Sequence, residues 1–210
     1  GNKMEMRKIF VALIFIFSCF FYSNVIADSY SAVSFGYTKH IAKDPHDAQL
    51  GYSYYSDPEE NGFAIGYVFG NKSDELMLET EINYYPEVSN TIASGIDANV
   101  STLSLMENIL FAPNFGDSSY GIFGGGIGIA RTNVDINYNK SSVTFNGADD
   151  EVNLAYQLIA GYGINNIEFL FKYSDFGEVQ GGTGTASNSG TYYADKFDNI
   201  YQSVVVRFKF

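Results

Sequence analysis

The 210-residue chain sets 24 acidic side chains against 12 basic ones, a net charge of −12. That balance repels nucleic acid and heparin-like polyanions and argues against either as a partner. Tyr and Phe make up the 17% aromatic share, Trp is missing, and the single cysteine leaves no pair for a disulfide framework.

Gly1 to Lys3 precede the first Met and read as upstream sequence. Met6, Arg7 and Lys8 form a basic start, Ile9 to Tyr22 an apolar run of about 14 residues, and Val25-Ile26-Ala27 a small-residue cleavage site, the pattern of a secretory signal peptide. The run is too short for a spanning helix, which needs about 20 apolar residues. Residues 1–27 are therefore expected to be removed and the mature chain to begin at Asp28. Cys19 lies inside the run behind Ile16-Phe17-Ser18, so lipoprotein processing, which needs Cys as the first mature residue, is not expected. Because Lys3, Arg7 and Lys8 outweigh Glu5 in the leader, the mature chain stands at about −14.

From Tyr30 onward about eight segments alternate with a period of two, near 30–41, 63–70, 74–86, 98–112, 118–132, 152–164, 166–177 and 198–210. Each is close to the 9–11 residues that carry a tilted strand across a bilayer. Short links at Asn71 to Ser73, Pro113 to Asp117 and Asn165-Asn166 alternate with long ones at Ala42 to Gly62, Glu87 to Asp97, Asn133 to Glu151 and Glu178 to Phe197. This predicts an all-β, eight-stranded antiparallel up-and-down transmembrane β-barrel over 28–210, with both ends on the short-turn side and four long loops outside.

One parity of each strand reads as a lipid face: Val33, Phe35 and Tyr37; Phe63, Ile65, Tyr67 and Phe69; Leu76, Leu78, Ile82 and Tyr84; Tyr156, Leu158 and Tyr162; Ile167, Phe169, Phe171 and Tyr173; Val204, Val206, Phe208 and Phe210. The other parity is small or charged. Eight strands enclose just enough room for side chains, so Glu79, Glu81 and Glu168 are expected to pair inside with Lys172, Arg207 and Lys209 and to plug the lumen, because unpaired buried charges are costly. Glu107 shares the parity of Leu103, Leu105, Ile109 and Phe111, which predicts a register-shifting bulge or, failing that, a carboxylate against lipid or a partner. Gly124-Gly125-Gly126 would leave one strand nearly bare in a crowded, curved wall.

Tyr120 to Ala130 (YGIFGGGIGIA), the segment Phe171-Lys172-Tyr173-Ser174-Asp175-Phe176-Gly177 and the terminal Phe210 resemble the small outer-membrane barrel superfamily. That group includes the OmpA-type transmembrane domain, the OmpX-like proteins and the opacity-type surface antigens. The resemblance covers almost the whole mature chain and implies that Val204, Val206, Phe208 and Phe210 form the signal read by the barrel assembly machinery. It also implies lipopolysaccharide as the surrounding lipid. Unlike full-length OmpA proteins, the chain is expected to carry no peptidoglycan-binding domain after the barrel.

Catalysis is not expected. Lipid A-modifying barrels use a histidine with a serine or acidic partner, yet His40 lacks a serine at the His-x-Ser spacing. His46, in Asp44-Pro45-His46-Asp47 near Ser53 and Ser56, reads more simply as a polar turn. The clusters Asp57-Glu59-Glu60, Asp149-Asp150-Glu151 and Asp195-Asp198 have oxygens suited to divalent cations but no dense ligand spacing; they read as solvated charge, without a metal or cofactor. The Gly/Ser/Thr-rich loop Gly181 to Gly190 suits surface contact. The expected function is an antigen or adhesin-like surface protein that meets a host ligand through its loops and also stiffens the membrane. A small porin is the first rival, and a lipid A-modifying enzyme or soluble lipocalin-like barrel are lesser ones.

Overall fold

The computed structural model describes residues 28–46, 57–116, 118–140, 143–181, 183–185, 191–193 and 195–210. Its strands are β1 (Asp28–His46), β2 (Glu59–Ser73), β3 (Leu76–Ala93), β4 (Ile96–Phe111), β5 (Ser119–Lys140), β6 (Val143–Ile164), β7 (Ile167–Gln180), β8 (Thr183–Thr185), β9 (Thr191–Tyr193) and β10 (Lys196–Lys209). The eight long strands close into an antiparallel up-and-down barrel, while β8 and β9 form a separate two-stranded hairpin. Alternation of Val, Ile, Phe and Tyr with small or polar residues drives this, since only a closed ring pairs every backbone group of a strand in lipid. β1 closes the ring against β10 from Ala32↔Lys209 to Lys43↔Asp198. Phe210 and Ser31 exchange backbone hydrogen bonds at 2.9 and 3.0 Å. The expected signal peptide, residues 1–27, lies outside the described residues.

The outward parity matches the predicted lipid face. Phe35, Tyr37, Leu158, Phe169, Phe171, Val204 and Phe210 are each at least half exposed, a density of apolar surface that water does not tolerate on a monomer and lipid does. Glu107 corrects a prediction. β3 and β4 pair without a shift from Leu76↔Phe111 to Tyr85↔Thr102, through Thr80↔Glu107, and β4 meets β5 at Glu107↔Ile127. There is no bulge, and the carboxylate stands on the lipid-facing wall. The first short link also moves: β2 runs on through Asn71 to Ser73, and the turn is Asp74-Glu75, with Asp74 at φ 51°. Asp and Asn accept that left-handed backbone at little cost, as Asn165 does at the predicted Asn165-Asn166 turn.

The larger correction concerns the outer side. Most of the predicted loops 87–97 and 133–151 is strand. β3 and β4 run on to a tight turn at Ser94-Gly95, and β5 pairs with β6 as far as Lys140↔Val143. These polar stretches carry hydrogen-bonded ladders beyond the apolar belt.

The ring does not stay closed at that height. β2 pairs with β3 only up to Ile65↔Tyr84, and β6 with β7 only up to Tyr156↔Asp175. Each seam opens at a backbone irregularity: a register shift between Tyr85 and Val88, where Pro86 can donate no ladder bond, and one on β7 where Gly177 takes φ 79°. The Asp175 carboxylate accepts the Gly177 amide at 2.9 Å, a physical reason for the Asp-x-Gly spacing there. Above the belt the molecule is thus two sheets, β2-β1-β10-β7 and β3-β4-β5-β6. Their facing sides bury Ala42, Val88, Ile92, Ile96, Ala98, Val100, Val134, Ile136, Val179 and Phe197.

Candidate functional site

Inside the belt, the inward parity of β3, β7 and β10 places three carboxylates and three cations in one layer. Arg207 is fully buried; its Nη1 lies 2.7 Å from Glu79 Oε1 and 3.1 Å from Glu168 Oε2, and its Nη2 lies 3.5 Å from Glu81 Oε1. Lys172 pairs closely with Glu81, and Lys209 Nζ lies 3.4 Å from Glu168. Glu81 also accepts from Gln157 Nε2 at 3.0 Å and Asn108 Nδ2 at 3.2 Å. All six predicted interior residues therefore share one balanced cluster. Burying each ion alone would cost several kcal/mol, roughly, and only mutual pairing with further hydrogen bonds offsets that.

Glycines make the cluster possible. Gly126 lies between Asn108 and Gln157 on neighbouring strands, and a Cβ there would run into the Asn108 amide. With glycine in place, Gln157 Nε2 donates to Asn108 Oδ1 across the strand at 2.6 Å. Tyr30 lies across Gly70 and Tyr120 across Gly163, each ring occupying the space a Cβ would fill. Laid flat, the rings deliver their hydroxyls to Glu79 at 2.5 Å and Glu168 at 2.6 Å. Neither tyrosine was among the predicted network residues. Their inward parity was readable, but the facing glycine appears only once the register is known.

A second buried polar layer sits higher, beyond Tyr37, where the outward parity of β1 turns to Lys39. His40 Nδ1 accepts from Asn90 Nδ2 at 2.6 Å and its Nε2–H donates to Asn199 Oδ1 at 2.9 Å. Asn199 Nδ2 then donates to Thr102 and Thr132 at 3.1 and 3.0 Å. That wiring fixes a neutral imidazole, and burial pushes its pKa down to about 4 against the two asparagine bonds. A histidine with no exposure is out of reach of lipid A. His46 stands at the outer end of β1 with Nδ1 2.9 Å from the Asp44 carbonyl and Nε2 3.8 Å from Glu178; Asp47, Ser53 and Ser56 lie outside the described residues.

The acidic clusters are placed individually. Asp57 accepts the Asp44 amide at 2.8 Å, Glu59 pairs with Lys39 at 2.8 Å, and Asp150 pairs with Arg131, whose hydrogen bond holds the Asp150 carboxyl below its usual range. Asp195 is buried, not solvated as its loop position suggested. No three His, Cys, Asp or Glu side chains are grouped for a metal ion among the described residues. Among the described residues, two concavities mark the surface above the belt. One of about 450 Å³ runs along β3 to β6, lined by Glu87, Asn99, Ser101, Asp135, Asp149 and Asp150; the other, about 480 Å³, lies in the β2/β3 seam between Glu60-Asn61-Gly62 and Pro86-Glu87-Val88. The four terminal positions Val204, Val206, Phe208 and Phe210 all face outward on or just after β10.

No protein-family model and no curated protein matches the sequence. Among solved structures, the chain is similar to Ail, the attachment invasion locus protein of Yersinia pestis, solved with the heparin analogue sucrose octasulfate (13% identity, 87% of this chain and 99% of that one, TM-score 0.50). It is similar to the outer membrane protein OprG of Pseudomonas aeruginosa (15% identity, 86% and 96%, TM-score 0.50) and to the outer membrane protein AlkL in lipid bilayers (13% identity, 90% and 93%, TM-score 0.51). The fold is that of the small, eight-stranded outer-membrane barrels.

Proposed function

We propose that this barrel is a bacterial outer-membrane surface protein, exported through a cleaved signal, whose working part is the two-sheet extension above the belt. The reading is an antigen or adhesin-like binding platform. It rests chiefly on one observation: the strands continue past the apolar belt as paired hairpins with polar outer faces around a packed apolar interior, a rigid body larger than closing the barrel requires. Beyond Ile65↔Tyr84 and Tyr156↔Asp175 the facing strands no longer pair with each other, and the two seams present strand edges to which a partner strand could add.

The charge selects among partners. Sucrose octasulfate is a polyanion, and it was Ail that was solved with it. Here the outer concavity carries Glu87, Asp135, Asp149 and Asp150, so a cationic protein surface fits and a sulfated glycan does not. Lipopolysaccharide would surround the wall, and the outward row ending at Phe210 would be read by the barrel assembly machinery.

The test is a pair of measurements on the folded barrel. Planar-bilayer recordings should give no stable conductance steps, because Arg207, Lys172 and their carboxylates fill the belt and Val100, Val134 and Phe197 fill the region above it. Replacing Glu87, Asp135 and Asp149 together by Gln, Asn and Asn should abolish binding to immobilised cationic protein while heat-modifiable gel mobility persists. Reproducible conductance, or binding indifferent to the three substitutions, would reverse the reading in favour of a small porin or of a different contact surface.

A further inference from the structure

Glu107 and Thr80 form a polar pair in the middle of the apolar belt. On β4 the outward row reads Phe111, Ile109, Glu107, Leu105, Leu103, and on β3 it reads Leu76, Leu78, Thr80, Ile82, Tyr84. Both polar residues are third of five and pair directly, so they stand at the same depth, midway along the apolar rows. Thr80 Oγ1 donates to both Glu107 oxygens, at 3.0 and 3.1 Å. Phe111, Ile109, Leu103, Leu76, Ile82 and Tyr84 around them are exposed to lipid. Gly125, paired with Ile109 and on the same outward parity, adds no side chain to this part of the wall.

A carboxyl group aimed at hydrocarbon is a poor choice for a monomer, and ionisable side chains within a membrane generally face a protein partner. A threonine hydroxyl has one hydrogen and two lone pairs, while a carboxyl has acceptor sites on both oxygens and, in its acid form, a hydrogen to give. The pair can therefore take on further bonds without losing the one it has.

We propose that the chain self-associates in the membrane through the β3/β4 wall, as a twofold pair centred on Glu107 and Thr80. Every copy of an exported barrel inserts in the same direction. A twofold axis along the membrane normal then brings Glu107 and Thr80 of one copy to the same two residues of the other at matched depth. The two hydroxyls and the four carboxyl oxygens then face one another across the axis, where each hydroxyl can bond to the carboxyl group of either copy. An isologous contact of this kind is the commonest form of association. A different membrane protein would have to offer a polar group at that one depth, whereas a second copy does so by construction.

Cross-linking in intact outer membranes tests this, using the full chain with Cys19→Ser so that the introduced cysteine is unique. Ile109→Cys, beside Glu107, should give an oxidised dimer. Val204→Cys, on the opposite wall where β10 meets β7, should not, although Val204 is 62% exposed and Ile109 59%. Adding Glu107→Leu should lower the Ile109→Cys dimer roughly 3- to 10-fold, the scale of a polar contact between membrane segments. That variant leaves an apolar side chain on a lipid-facing site, so its folding, read by heat-modifiable mobility, should be intact. Equal cross-linking at both walls, no dimer at Ile109, a dimer that ignores Glu107→Leu, or a cross-linked product with a different protein would each overturn the proposal.

Discussion

The two halves of this molecule are built on different plans from the same strands. Within the belt the outside is apolar and the inside sets a balanced ionic cluster among apolar groups such as Met77, Leu110, Ile122 and Leu170; above it the outside is acidic and polar, and the inside is packed with Val, Ile and Phe over the neutral His40 layer. The solvent outside changes from lipid to water, and the buried ion cluster is confined to the lipid-facing half. In lipid the backbone must close into a ring, because no water can satisfy a free edge. In water it need not, and the ring parts into two sheets as soon as the belt ends. The lower half is held by closure and pairing, whereas the upper half is held like a soluble sandwich by apolar contact.

The sharpest way to break this contrast is to remove a charge from each half. Arg207→Met leaves Glu79, Glu81 and Glu168 facing one another with their largest shared partner gone. Urea unfolding in lipid vesicles should show a loss of about 3–5 kcal/mol, the usual cost of breaking a buried ion pair. Lys39→Met, which removes the exposed bridge to Glu59 on the outer half, should leave the midpoint unchanged within error. If both substitutions cost the same, the contrast fails.

Acid should strike the upper half through His40. In the unfolded chain its imidazole binds a proton at about pH 6.5, but the folded protein refuses it until about pH 4. Stability is therefore flat above pH 6.5 and falls as pH drops from 6.5 towards 4, by up to ~3 kcal/mol. His40→Asn should remove that fall. Carboxylates titrate in the same acid range, so the quantity to compare is the difference between wild type and variant across pH 4–7.

A smaller effect tests the glycine account. Gly126→Ala forces a Cβ into the Asn108 amide and should cost ~1–3 kcal/mol as overpacking. Gly116→Ala, in a turn with open space around it, should be near neutral. Equal costs would mean that strand propensity, and not the cross-strand bond above Gly126, explains the glycine run.

Much of the lower half was legible in the sequence. A period of two with Phe, Tyr, Val and Ile on one parity identifies the lipid face, and six charges on the other parity could only be inside. The tyrosines over Gly70 and Gly163 were hidden because they depend on register, which periodicity does not specify. The upper half was misread for a different reason. Polar stretches such as Asn133 to Asn137 look like loop when polarity is taken as the end of a strand, yet in water an extended strand needs no apolar outer face. Glu107 was misread in the opposite sense: a charge on a lipid parity suggested a shifted register, while the ladder runs straight through it and the anomaly belongs to the surface.

The placement of Arg207 has a consequence for the order of events in assembly. Two carboxylates of the cluster come from β3 and one from β7, whereas Arg207 and Lys209 both come from β10. Until that strand docks, the half-built cylinder holds three acids against Lys172 alone. The segment that seals the ring also neutralises its contents, so sealing and neutralisation are one step, and a chain halted before β10 is left both open and charged.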